Sequence, residues 1–144
     1  MKKVVFLSLT LLLGWDMAAQ RIKTNALPPA VQARFQSEFV GAKDAKWEKE
    51  GANYEVEFEL GEVEQSALFD ASGALLETEV EIKFAELPEA VKEYLKKNYA
   101  SQKIKEVTKI TDNQHTITYE VEIKGRDVLF DVAGQFLREV ANSH

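Results

Sequence analysis

Two stretches of the chain place apolar residues at four-residue spacing, with charged residues between them. This spacing puts the apolar side chains on one face of an α-helix and the charged side chains on the other. Pro28 and Pro88 fit the first position of each predicted helix, where a missing N–H is no loss. The apolar positions are Val31, Phe35 and Phe39 in the first stretch, and Val91, Leu95 and Tyr99 in the second.

After each predicted helix the apolar residues recur at every second position, which predicts strands with one buried face and one wet face. Glu50-Gly51 and Asp112-Asn113 are turn signals, and each would place an earlier strand beside the alternating one, around Trp47 and around 104–110. The alternating residues are Tyr54, Val56, Phe58 and Leu60, then Ile117, Tyr119, Val121 and Ile123.

Three sequence blocks recur in the same order, which indicates an internal duplication. LPPAVQARFQSEF (27–39) pairs with LPEAVKEYLKKNY (87–99), YEVEF (54–58) with YEVEI (119–123), and ALFDASG (67–73) with VLFDVAG (128–134). The differences in length fall between the blocks, where loops vary most. We therefore predict an α+β fold made of two tandem α-β-β-β-β repeats, at about residues 26–80 and 86–140.

We expect both repeats to form one antiparallel sheet with the two helices on one face. Half of this chain, at roughly 60 residues, would bury too little surface to be more than marginally stable alone. The alternating pattern also runs through Val80, Ile82 and Phe84 directly to Leu87, without a flexible linker. Residues 20–144 are therefore predicted to be a single domain.

Residues 1–19 have the pattern of a cleaved signal peptide. Lys2 and Lys3 precede an apolar run at 4–13, and small residues follow at Ala18 and Ala19. The run is shorter than the roughly 20 residues that a helix needs to cross a bilayer, so we predict no membrane span. A periplasmic or secreted location is expected, and the absence of Cys excludes both a lipid anchor at the new N-terminus and disulfides.

The charge of the chain narrows the class of partner. The formal net charge is −6, and it becomes −7 without residues 1–19, which carry Lys2, Lys3 and Asp16. Nucleic acids and anionic membrane surfaces attract basic patches, so neither is an expected partner.

Residues for catalysis are few. The histidines are His115 and His144, there is no Cys, and no serine lies in a nucleophile motif. We predict that the protein is not an enzyme and uses no cofactor; a hydrolase that relies on His115 is the weakest alternative.

The repeated Asp and Gly of FDASG and FDVAG fit either a fragment of a metal loop or a hairpin turn. A calcium loop needs oxygen ligands at alternate positions, and Ala74 and Leu76 follow Asp70 at such positions. Asp followed three residues later by Gly matches a type I turn that a left-handed residue closes. We predict turns at Asp70–Gly73 and Asp131–Gly134, and no metal site.

The ordered blocks LPxAV, YEVE and LFDxxG, each present twice after a signal peptide, resemble the PepSY-like family of secreted and periplasmic bacterial proteins. This family is also called beta-lactamase-inhibitor-like, and the resemblance covers residues 26–140. It implies a fold like that of beta-lactamase inhibitor protein, in which two repeats form a sheet whose open face grips a partner. The disulfides of that inhibitor have no counterpart here, and no contact residue of the inhibitor has a matching motif in this chain.

The resemblance and the pattern together suggest a binding module, an inhibitor or a scavenger, that uses the helix-free face of the sheet. An acidic face would favour a basic protein or cationic peptide; a simple solvated face is the alternative for the same residues, and a sensor of a small ligand or peptide is the alternative function. Trp47 either packs in the core or forms part of the face. The candidate face consists of Glu55, Glu57, Glu59, Glu120, Glu122 and Lys124, with Trp47 as a further candidate.

Overall fold

The computed structural model describes residues 20–142, which form two α-helices, two short 3-10 helices and nine strands. The predicted signal peptide, residues 1–19, lies outside the described residues. The helices are α1 (Pro29–Glu38) and α2 (Glu89–Asn98), and the 3-10 helices are Thr24–Ala26 and Phe84–Glu86. The strands are β1 (Gln20–Ile22), β2 (Lys43–Glu50), β3 (Asn53–Leu60), β4 (Val63–Phe69), β5 (Leu75–Glu81), β6 (Glu106–Asp112), β7 (Ile117–Ile123), β8 (Arg126–Asp131) and β9 (Phe136–Ala141).

The strands of the described residues form one antiparallel sheet in which their order follows the chain, from β1 to β9. The predicted α+β class is confirmed. The first repeat has one strand more than predicted, because β1 precedes its helix and pairs with β2. Arg21 of β1 lies opposite Glu48 of β2, and Glu81 at the end of β5 lies opposite Thr108 of β6. The pairing of β1 with β2 is therefore equivalent to the pairing of the end of β5 with β6.

The chain divides into two compact units between Leu76 and Glu77. We call the part before this division unit 1 and the part after it unit 2. The division falls inside β5, after its first two residues, Leu75 and Leu76. The single-domain organisation of residues 20–144 stays a prediction.

Each α-helix begins one residue later than predicted. Pro28 and Pro88 are the N-caps, with extended backbone at ψ 136° and 143°, and Pro29 and Glu89 are the first helical residues. The proline ring fixes φ near the helical value but does not make the residue itself helical. A short 3-10 helix leads into each proline.

The core of unit 1 lies between α1 and one face of its strands. Val31 of α1 is fully buried, and it meets Val56 and Phe69 of the sheet. Phe35 of α1 packs edge-on against Trp47, with ring centroids 5.2 Å apart. Burial of each large apolar side chain contributes roughly 1.5–3 kcal/mol, so this aromatic cluster is a main source of the stability of unit 1.

Unit 2 repeats this arrangement with smaller side chains. Val91 and Leu95 of α2 pack on Val121 and Phe130, which are buried. The register pairs Val107 with Val121, as it pairs Trp47 with Val56 in unit 1. Val107 is therefore the counterpart of Trp47, a correspondence that the shifted spacing between the sequence blocks had hidden.

The repeated FDxxG and LPxAV blocks contact each other in each unit. A Cβ added at Gly73 would lie 2.7 Å from the carbonyl oxygen of Ala30, and one added at Gly134 would lie 2.8 Å from the Cβ of Ala90. Both glycines have φ of +87°. The hairpin turn therefore rests on the first turn of the helix, which requires a glycine on one side and favours a small residue on the other.

Candidate functional site

In unit 1, the face of the sheet opposite α1 carries a group of carboxylates. Val56 and Phe58 of β3 pack in the core, so Glu55 and Glu57 project from the other face. Glu48 of β2 lies directly opposite Glu55. We call Glu48, Glu50, Glu55 and Glu57 the acidic cluster.

Glu55 is the buried member of the acidic cluster, with 8 % of its surface exposed. Burial, a hydrogen bond with Glu50 and the nearby carboxylates together raise the pKa of Glu55 to about 9. Burial and then Glu48 raise the pKa of Glu57 as well, while Lys46 opposes the rise. Glu55 is therefore protonated at pH 7, and the prediction of a wet face is wrong for this residue.

Ser66 of β4 lies on the same face, directly opposite Glu57. It is 1 % exposed, and its hydroxyl has no hydrogen-bond partner within residues 20–142. A buried hydroxyl without a partner costs free energy, since water would otherwise satisfy it. Ser66 thus places an unused donor and acceptor beside the acidic cluster.

Unit 2 carries the corresponding acidic residues on its own helix-free face. Glu120 of β7 lies opposite Thr108 of β6, and Glu122 lies opposite Asp127 of β8. Burial first, and then the carboxylates of Asp127 and other neighbours, raise the pKa of Glu120 to about 8. Asp127 stands where unit 1 has Ser66, and it accepts a hydrogen bond of 3.1 Å from Asn142.

The three remaining residues of the predicted face are Glu59, Lys124 and Trp47, and each has a different environment. Glu59 is half-buried at the far end of β3, opposite Glu64. Lys124 is exposed in the turn that follows β7, so it is not a strand residue. Trp47 is 3 % exposed and belongs to the core of unit 1, which removes it from the helix-free face. Its aromatic ring is needed to fill the space under Phe35.

The repeated FDxxG segments are hairpin turns. A carboxylate oxygen of Asp70 accepts hydrogen bonds from the backbone N–H of Ser72 and Ala74, at 2.9 and 3.0 Å, and from the Ser72 hydroxyl at 2.6 Å. These bonds hold the pKa of Asp70 below its usual value. Asp131 accepts the equivalent two backbone bonds, from Ala133 and Gln135. Each carboxylate is therefore used to close its own turn.

A third turn of the same kind occurs at 112–116, outside the repeated sequence blocks. Asp112 accepts backbone hydrogen bonds from Gln114 at 2.8 Å and Thr116 at 2.9 Å. His115 occupies the left-handed position, with φ of +63°, that glycine holds in the other two turns. His115 is therefore part of the turn between β6 and β7.

Within residues 20–142, no group of three or more His, Asp or Glu side chains is arranged to hold a metal ion. In the same part of the chain, no helix combines the length and apolar character needed to span a membrane.

Among the residues of the helix-free face that sequence reasoning missed are Glu48, Glu50, Ser66 and Asp127. Glu48 and Glu50 alternate with Trp47 along β2 and could have been placed once Trp47 was assigned to the core. Ser66 precedes the apolar run of β4, and nothing in the local sequence marks it as buried on the opposite face.

The fold and its two repeated units define a class of α+β repeat proteins, and the family comparison identifies which one. The family model described as "Putative beta-lactamase-inhibitor-like, PepSY-like" matches residues 14–66 and 52–138. The chain belongs to this family. No curated protein matches the chain.

Solved structures from Bacteroides share the fold. A "BLIP-like protein" from Bacteroides fragilis is 26 % identical, with a TM-score of 0.65 over 84 % of this chain and 92 % of that one. A protein from Bacteroides eggerthii, described as one of the "putative periplasmic proteins", is 16 % identical, with a TM-score of 0.75 over 80 % and 88 %. A DUF2874 family protein from Bacteroides uniformis is 19 % identical, with a TM-score of 0.73 over 79 % and 88 %.

Proposed function

We propose that this protein is a non-enzymatic binding module of the periplasm or the extracellular space, which captures a basic protein or cationic peptide on the helix-free face of its sheet. The observation that carries the proposal is the set of carboxylates around Glu55, at which burial and like charge raise the pKa. A cation placed there would relieve the repulsion between the carboxylates. Inhibition of the captured partner is a separate property. It should be assayed as well, because one solved structure of the same fold is described as a "BLIP-like protein".

Three further findings support the proposal. The repeated arrangement places Glu120 and Glu122 on the corresponding face of unit 2, so each unit has carboxylates on its own helix-free face. The net charge of −6 favours cationic partners over anionic ones. A solved structure of the same fold is described as one of the "putative periplasmic proteins", which agrees with the signal-peptide pattern at 1–19.

A titration of isotope-labelled protein with an oligolysine peptide tests the proposal by NMR. We expect shifts at the amides of β3 and β7, and little change along α1 and α2. The substitutions Glu57→Lys and Glu122→Lys should together weaken binding at least roughly 10-fold, because they place cations on the face. Shifts confined to the helices would refute the proposal.

Matched charge reversals distinguish the face from the general charge of the protein. Glu62→Lys and Glu93→Lys change the net charge equally but lie in the β3–β4 turn and on α2. They should leave the affinity within roughly 2-fold at moderate salt, since exposed charges are screened over about 10 Å. Equal losses for both pairs of substitutions would mean that oligolysine responds to net charge alone.

A sensor of a small ligand or peptide is the second candidate function. Leu68 lies opposite Glu55 and Leu129 lies opposite Glu120, and both leucines are buried on the helix-free face. A face with apolar and acidic groups side by side suits a small amphipathic cation. Such a ligand would raise the melting temperature of the protein, whereas the first candidate predicts stabilisation only by a basic protein or cationic peptide.

A further inference from the structure

The surroundings of Glu55 differ from those of an ordinary acidic surface. Residues that face it from β2 are Lys46, Glu48 and Glu50; Arg21 of β1 lies beyond Glu48, and Glu64 faces the same side from β4. The cations in this set stand near other members of the acidic cluster: Arg21 is 3.9 Å from Glu48, and Lys46 lies opposite Glu57. Burial first, and then the carboxylates of Glu50, Glu57 and Glu48, raise the pKa of Glu55.

Ser66 supplies the second observation. Its hydroxyl is buried, points to the same face as Glu57 and has no hydrogen-bond partner in the described part of the chain. Serine hydroxyls accept hydrogen bonds through two lone pairs, so this group can receive one donor from a ligand. In unit 2 the equivalent position is Asp127, whose carboxylate already accepts a bond from Asn142. The unused acceptor is therefore a feature of unit 1.

We propose that Glu55, Glu57 and Ser66 form a seat for the ammonium group of a lysine side chain, and that filling this seat releases a proton from Glu55. The inference rests on the proposed function, because it names the anchor of the cationic partner on the same face. A lysine ammonium is compact and carries three donors, which matches two carboxylates and one hydroxyl. A planar guanidinium presents its donors in a fixed fork and suits this set of acceptors less well.

The proton transfer follows from the charge states. Glu55 is protonated before binding, because burial and its acidic neighbours raise its pKa to about 9. When the ammonium enters, the carboxylic acid of Glu55 gives its proton to the solvent, and the resulting carboxylate accepts a hydrogen bond from the ammonium. The ammonium keeps its own proton, so each seated lysine releases about one proton at pH 7.5.

Isothermal titration calorimetry with oligolysine in phosphate and in Tris, at pH 7.5, measures this release, because the two buffers differ in ionisation enthalpy. We expect about one proton released per bound peptide, and an affinity that rises up to about 10-fold per pH unit between pH 6 and 8. Glu55→Gln should bind more weakly and release no proton. Glu62→Gln makes the same substitution at an exposed turn and should behave as the wild type.

Ser66→Ala separates a ligand contact from a structural role. The substitution removes a buried hydroxyl without a partner, so the free energy of unfolding should stay the same or rise. The affinity for oligolysine should nevertheless fall roughly 10-fold, through loss of a hydrogen bond to a charged group. An unchanged affinity, or an octaarginine peptide bound as tightly as octalysine, would overturn the assignment of the seat.

The outcomes distinguish the two proposals. Oligolysine that shifts the amides of β3, yet releases no proton and is insensitive to Ser66→Ala, would remove the seat and leave the proposed function standing. Absence of any shift on the helix-free face would remove both.

Discussion

Gly73 and Gly134 show how one residue type connects two sequence blocks. Each glycine adopts a left-handed backbone and contacts the start of the helix in its own unit. The sequence predicted the turn and the glycine conformation from the spacing of Asp and Gly. It could not predict the contact with Ala30 or Ala90, because the two blocks are more than 40 residues apart in the chain.

Alanine substitutions can separate the two demands on these glycines. Gly125 has φ of +79° with no atom within 4 Å of an added Cβ, so Gly125→Ala should cost about 1 kcal/mol through backbone strain alone. Gly134→Ala adds an overlap with Ala90, and we expect a loss of about 2–4 kcal/mol. Urea denaturation of both variants measures the free energy of unfolding. Equal losses would show that the contact with the helix has no energetic weight.

At the scale of elements, alternation along β3 and β7 gave the right faces for Glu55 and Glu120 but the wrong degree of burial. Sequence pattern assigns a polar residue to the wet face by default. The burial of Glu55 depends on the side chains of β2 and β4, whose register against β3 only the structure reveals. The register of β2 against β3 places Trp47 in the core. It also shows that Val107 holds the equivalent position in unit 2, opposite Val121.

The raised pKa values of two strand residues predict that stability falls as the pH rises. The pKa of Glu55 is raised from 4.5 to about 9 and that of Glu120 to about 8, so the folded protein binds more protons than the unfolded chain between pH 4.5 and 8. Stability from these groups is fully present below pH 4.5 and is lost through this range, by up to about 1.4 kcal/mol per pH unit for each extra proton. Urea denaturation at pH 5.5 and 8.5 should therefore show a more stable protein at the lower pH.

Glu55→Gln isolates the contribution of one strand residue to this pH dependence. The glutamine cannot ionise, so the variant should lose at least ~1 kcal/mol less than the wild type between pH 5.5 and 8.5. Glu62→Gln, at an exposed turn, should keep the wild-type dependence. A wild-type slope in Glu55→Gln would mean that Glu55 is charged in the folded protein.

At the scale of the whole molecule, the duplication was readable in the sequence because three blocks kept their order. What the blocks leave open is whether the two units unfold together. Leu75 packs on the core of unit 1, whereas Glu77 to Glu81 pair with β6 in unit 2. Both units therefore draw on the same strand, β5, and neither has its full set of contacts if that strand is cut.

We predict that residues 20–144 unfold in one cooperative transition. A unit of roughly 60 residues buries only about 60 % of the surface of its unfolded chain, so loss of its share of β5 should leave it unstable. Calorimetry should give equal calorimetric and van't Hoff enthalpies. Limited proteolysis of the native protein should spare the stretch from Leu76 to Leu87, because Glu79 within it is buried in a strand that pairs with β6. Rapid cleavage there into two stable halves, or two separate transitions, would instead establish two independent domains.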